Sequence, residues 1–292
     1  MFINFIQGFM MALADSVPGV SGGTIAFLMG FYDKFINSLN YLIKGTKQER
    51  IDAIKFLAKL GIGWVVGMAL AVSILASVFN SGIYKVSSLF LGFIIGAIPL
   101  IIIEEKKALK EDYKNIFFAF VGIVLIVVLS IMKFSANISV SHLTFGNILY
   151  IIVAGMLAIS AMVLPGISGS TVLLSFGLYI PIITALKDLL HLNFNGFFLL
   201  LVFGIGVILG VFVSLRGIKN MLLKHRSKTI YAIIGMMIGS LYAIVVGPTT
   251  LEVPREPMSF NEFYIGYFII GVIFVLGLEK LKQLPWYKKV SW

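Results

Sequence analysis

Residues 17–24 read VPGVSGGT and residues 164–171 read LPGISGST. Each phrase sets a proline, glycines and hydroxyls in the middle of an apolar run, and the two are 147 residues apart. Proline stops a helix and glycine frees the turn that follows. Ser21 and Ser168 then stand where an N-cap would start an outgoing helix, with Gly22, Gly23 and Thr24, or Gly169, Ser170 and Thr171, as its first turn. Two such breaks in greasy surroundings need a reason. Irregular backbone in hydrocarbon is costly unless it is buried in protein or faces a water-filled cavity.

The surroundings are greasy throughout. Of 292 residues, 59% are hydrophobic and only 12% charged, about half the usual charged fraction of a soluble domain. Apolar runs of about 20 residues lie near 60–80, 86–103, 115–134, 196–215, 229–247 and 263–279, each long enough to span a membrane. No polar stretch is long enough for a second, soluble domain, so residues 1–292 read as a single membrane domain. Two regions, about 2–43 and 147–190, are too long for one span. Each is broken by the phrase and is the right length for two short helices forming a re-entrant hairpin. Residues 1–14 hold no Lys or Arg, so they lack the basic region of a signal peptide and are read as mature protein.

Charge placement fits that topology. With re-entrant regions and alternating spans, one side receives every Lys and Arg except Lys85, Lys133, Lys187 and Arg255. That side is expected to be cytoplasmic, with both termini on it. Hairpins crossing fully twice would distribute the loops identically. The net charge of +10 is then a property of cytoplasmic loops rather than a sign of nucleic-acid binding. There is no cysteine, and His142, His191 and His225 are too scattered to suggest a metal site.

The phrases belong to a longer repeat. Aligning 14–32 with 161–179 gives identities at Ala14/Ala161, Pro18/Pro165, Gly19/Gly166, Ser21/Ser168, Gly22/Gly169, Thr24/Thr171, Gly30/Gly177 and Tyr32/Tyr179, where chance would give about one or two. The match resumes 143 residues apart, pairing GIGWVVG at 61–67 with GIGVILG at 204–210, Gly92 and Gly96 with Gly235 and Gly239, and Lys85 with Lys228. The expected fold is therefore an all-α integral membrane protein with an inverted-topology repeat, repeat 1 over 1–140 and repeat 2 over 141–292. Each half holds one re-entrant helical hairpin plus three transmembrane helices. Inverted repeats with broken helices near the midplane are the architecture of secondary transporters. The glycines spaced four apart are read as close-packing positions.

The chemistry of the phrase suits an anion. Backbone N–H groups at a helix start, hydroxyls, and glycines that let a ligand approach fit a phosphate, and facing tips would make a two-sided site. The alternative is that the phrase only makes a tight turn. Between 143 and 186 there is no charged side chain, so neutral donors would have to hold the anion. Asp15, replaced by Met162 in the second copy, has two readings: a proton acceptor coupling transport, or a cap on the turn backbone. Arg216 is a candidate to guide a phosphate headgroup and equally fits the positive-inside pattern.

ADSVPGVSGGTIAFLMGFYDKFI (14–36) and AMVLPGISGSTVLLSFGLY (161–179) resemble a bacterial and archaeal membrane family. Long a domain of unknown function, it is now described as polyprenyl-phosphate transporters. The resemblance covers essentially the whole chain, with no departure in either phrase. It implies return of undecaprenyl phosphate across the bacterial cytoplasmic membrane, recycling the carrier lipid for peptidoglycan and other envelope polymers. The implied site is Pro18, Gly19, Ser21, Gly22, Gly23 and Thr24 with Pro165, Gly166, Ser168, Gly169, Ser170 and Thr171; the family's acidic residue falls on Asp15. The expected partners are the polyprenyl-phosphate lipid and membrane lipids, with no cofactor and no metal. Composition and spacing alone give an inverted-repeat carrier with an anion site. A carrier of a soluble anion or organophosphate is the competing reading. An intramembrane prenyl-pyrophosphate phosphatase is a third, disfavoured because neither phrase carries a His or Glu to serve as base.

Overall fold

The computed structural model describes residues 2–15, 21–132, 143–166, 168–190, 192–250 and 254–283; Pro18, Gly19 and Ile167 lie outside them. Among the described residues the chain is helical and has no strand. The first broken region forms α1 (Phe2–Asp15), α2 (Gly22–Leu28) and α3 (Tyr32–Lys44). The second forms α7 (Phe145–Val163), α8 (Gly169–Ser175) and α9 (Tyr179–Leu190). The remainder is α4 (Lys47–Glu104), α5 (Lys106–Glu111), α6 (Ile116–Ile131), α10 (Phe197–Lys224), α11 (Arg226–Val246) and α12 (Ile265–Gln283).

Each broken region therefore has three helices where two were expected. The second break falls at Gly30 and Gly177, whose φ of 68° and 65° favour glycine. The chain closes α2 there with Gly30 N donating to Phe27 O and Phe31 N to Ala26 O, each at 3.0 Å. It closes α8 with Gly177 N to Leu174 O at 3.0 Å and Leu178 N to Leu173 O at 2.8 Å. Both are Schellman caps. Across the second one, α8 and α9 are bent by 113°.

Among the described residues, six helical segments are long and apolar enough to cross a membrane: Lys47–Leu70, Gly82–Glu104, Tyr113–Ile131, Phe145–Val163, Phe197–Ser214 and Arg226–Thr249. The chain is a multi-pass membrane protein. The set differs from the expected six in two places. The apolar part of α12 is shorter, Ile265–Gly277, because Glu279 and Lys280 follow. In its stead α7, the leading arm of the second hairpin region, reaches span length. The first crossing also starts earlier than expected. Thr46 and Glu49 form a capping box, with Thr46 N donating to the Glu49 carboxylate at 2.7 Å, which fixes the start of α4 in the polar segment. The helix runs on to Glu104 with a change of direction at Gly82.

Glycines fix how these helices pack, and each seat recurs one copy later. Gly63 lies on the backbone of Phe5 and Gly67 on that of Phe9; their counterparts Gly206 and Gly210 lie on Ile152 and Met156, which align with Phe5 and Phe9. Gly8 abuts Leu60 O, and Gly155 abuts Phe203 O. Gly92 and Gly96, on the second arm of α4, seat Phe268 and Val272 of α12. Gly235 and Gly239, on α11, seat Ala119 and Ile123 of α6. So the second arm of α4 packs on α12, and α11 packs on α6.

Candidate functional site

The two breaks meet. Ser21 is the N-cap of α2, its hydroxyl oxygen accepting from Thr24 N at 3.3 Å. Its proton goes across to the second break, to Leu164 O at 3.0 Å. That proton being committed, the 3.3 Å contact between the Ser21 and Thr24 hydroxyls has Thr24 as donor. Thr24 Oγ1 in turn accepts from Gly166 N at 2.8 Å. Ser21 and Thr24 are essentially inaccessible, so these bonds satisfy groups that water does not reach. Backbones approach closely here: a Cβ on Gly23 would lie 2.7 Å from Val163 O, and one on Gly166 2.7 Å from Met237 N. Gly166 also has φ of +91°, and Pro165 beside it is buried.

Asp15 sits at the start of α2. Gly22 N donates to Asp15 Oδ1 at 2.6 Å, and the Trp64 indole donates to Oδ2 at 2.9 Å. The N-terminal end of α2 is thus covered by the chain's own carboxylate. At the equivalent place on α8, the Met162 side chain packs against Gly169.

The second phrase carries its hydroxyls differently. Ser168 occupies the N-cap position of α8 but makes no side-chain cap bond. It bonds Ser170 instead, Oγ to Oγ at 2.6 Å. Ser170 offers a hydroxyl where the first copy has Gly23. The pair holds two hydroxyl protons and its mutual bond uses one. Thr171 extends the first turn of α8, and its carbonyl accepts from Ser175 Oγ at 2.9 Å; the same hydroxyl contacts Leu129 O at 2.5 Å. Arg216 lies in α10, and its side chain is outside those described.

Sequence reasoning did not find two features. One is Trp64, although the alignment of GIGWVVG with GIGVILG marks it against Val207. The other is an ion-pair group on the side carrying the basic loops. Arg226 donates through Nε to Glu105 Oε2 at 2.9 Å and through Nη2 to the other oxygen, and its Nη1 lies 3.7 Å from Asp33. With Phe27, Gly30 and Tyr32 these residues line a cavity of about 60 Å³.

The undecaprenyl phosphate translocase-like family matches residues 11–277. This chain belongs to that family. It is 34% identical to the polyprenyl-phosphate transporter of Staphylococcus aureus over 288 residues, 96% of each chain. It is 29% identical to the polyprenyl-phosphate transporter of Vibrio cholerae over 317 residues, again 96% of each. No solved structure matches. The translocase-like membership and the transporter relatives agree with the helical membrane architecture, and a transporter function follows.

Proposed function

We propose that this translocase-like protein returns undecaprenyl phosphate across the bacterial cytoplasmic membrane, binding its headgroup where the two broken hairpins meet while the prenyl tail stays in lipid. The observation that carries the reading is the direct bonding of the two breaks, Ser21 to Leu164 O and Gly166 N to Thr24. It supports a reading in which the second phrase, with the uncommitted proton of its Ser168–Ser170 pair, lies at the junction of the two hairpins. The headgroup is an anion and residues 143–186 carry no charged side chain, so on this reading it is held by neutral donors, as in helix-start phosphate sites. Ser168, Ser170 and Thr171 supply hydroxyls, and Gly169 lets the ligand approach. Ser21, Gly22, Gly23 and Thr24 hold the second break in place. Pro18, Gly19, Pro165 and Gly166 shape the two turns.

The halves, 1–140 and 141–292, form an inverted pair within one membrane domain. Hairpin one enters from the cytoplasm, where both termini lie, and hairpin two enters from outside. This would let one site face each leaflet in turn. Asp15 is the coupling residue: taking up a proton would weaken its hold on Gly22 N and loosen hairpin one. Arg216, near the cytoplasmic end of α10, would draw the departing headgroup.

Leaflet exchange of a fluorescent undecaprenyl phosphate in proteoliposomes, with and without a pH gradient, tests this. Wild type should exchange the lipid, and Ser21→Ala/Ser168→Ala should abolish the exchange. Asp15→Asn should lose the gradient-driven component. Uptake of a soluble phosphate compound without lipid exchange would overturn the lipid assignment and leave a soluble-anion carrier.

A further inference from the structure

The first hairpin carries a hydrogen-bonded relay that has no counterpart in the second. It runs from the Trp64 indole N–H to Asp15 Oδ2 at 2.9 Å, and from Asp15 Oδ1 to Gly22 N at 2.6 Å. It then enters the start of α2, where Ser21 and Thr24 bond Leu164 O and Gly166 N of the second break. In the second half the two partners are absent together: Asp15 aligns with Met162 and Trp64 with Val207. The backbones around them are nonetheless equivalent, since Gly8 abuts Trp64 N as Gly155 abuts Val207 N. The frame is shared, and only the polar pair has been added.

We infer that Trp64 is a positioning residue: its indole N–H holds the Asp15 carboxylate in the one orientation that caps α2, and through α2 it fixes the second hairpin's break where the headgroup binds. A carboxylate at membrane depth needs donors for its oxygens. Gly22 N serves one oxygen. Without the indole the other loses its only described donor, and the carboxylate is free to rotate off Gly22. Gly22 N at the start of α2 then loses its acceptor, and Ser21 and Thr24 lose their fixed spacing to Leu164 O and Gly166 N. Phenylalanine at 64 would keep most of the ring's packing and remove only the donor. The defect should therefore appear as weaker headgroup binding in exchange measured without a pH gradient, where Asp15 drives no coupled step.

The functional half of this inference rests on the transport reading; the bond itself does not, and the test separates them. In full-length protein carrying Trp286→Phe and Trp292→Phe, Trp64 is the sole tryptophan. Ultraviolet resonance Raman should show its N–H band in the hydrogen-bonded position. Asp15→Ala should move the band to the free position. An unmoved band would overturn the inference, whether or not any lipid is transported. In proteoliposomes with wild-type tryptophans elsewhere, Trp64→Phe should raise the undecaprenyl phosphate concentration for half-maximal exchange roughly tenfold, leaving the maximal rate within about twofold. Trp64→Phe/Asp15→Ala should be no worse than Asp15→Ala alone. Additive losses, or a fall in maximal rate with unchanged half-saturation, would overturn it. If wild type moves no lipid, the transport reading fails and the Raman result still decides the Trp64–Asp15 bond.

Discussion

The first broken region starts its short helix, α2, under a carboxylate; the second starts its own, α8, under a thioether. The backbones are otherwise matched, with seven-residue helices α2 and α8 at the same register and Schellman caps at Gly30 and Gly177. In the first copy Asp15, Ser21 and Thr24 close on groups of the protein itself. In the second, Met162 offers no acceptor for Gly169 N to match Asp15, and the two hydroxyls of Ser168 and Ser170 turn to each other. The differences Asp15/Met162, Trp64/Val207 and Gly23/Ser170 set the two tips apart; under the proposed function the first is a clamp and the second the headgroup site.

That division can be broken most severely at the second tip. Ser168→Ala/Ser170→Ala removes the serine hydroxyl pair while leaving the clamp intact. Lipid exchange should fall about a hundredfold, since each hydrogen bond to a charged group contributes roughly 1.5–3 kcal/mol. Making the second tip resemble the first is the next test. Met162→Asp would set a carboxylate over Gly169 in competition with the phosphate, and exchange should drop about tenfold at low salt. The headgroup assignment would fail if either variant, correctly folded, exchanged lipid at the wild-type rate.

A smaller effect sharpens the comparison by probing what the copies share. A Cβ at Gly63 or at Gly206 runs into the backbone of Phe5 or Ile152. Gly63→Ala and Gly206→Ala should therefore each destabilise by about 1–3 kcal/mol, and by similar amounts, in thermal unfolding in detergent. Unequal losses would mean the two frames are less alike than their contacts. The smallest effect concerns the Arg226 group, which repeats nowhere: Arg226, Glu105 and Asp33 align with Ile83, Pro248 and Ile180. Arg226→Gln leaves the buried Glu105 carboxylate without its ion pair. Because Arg226 itself is part-exposed, the cost should be about 1 kcal/mol, read as a modest fall in melting temperature.

Much of the frame was legible in the sequence because it is set locally. The apolar lengths near 86–103, 115–134, 196–215 and 229–247 match helices that form. Proline and glycine marked the breaks, and serine marked the N-cap positions of α2 and α8. The glycines four apart became helix seats because a missing Cβ is the same invitation to close packing wherever it occurs. Gly30 and Gly177 were visible as identities, yet their second break was missed: a lone glycine in an apolar run does not declare a positive φ until the cap around it forms.

The sequence by itself determined a helical membrane chain with two copies of one broken element, because hydropathy, chain stiffness and capping act over a few residues. Only the tertiary structure decided which surfaces meet. Ser21 bonds Leu164, 143 residues away; Trp64 reaches Asp15 across α1 and α4; and α6 packs on α11 while α12 packs on α4. Such pairings depend on which helices come to lie side by side, and that is a property of the whole packing that no local run of residues encodes.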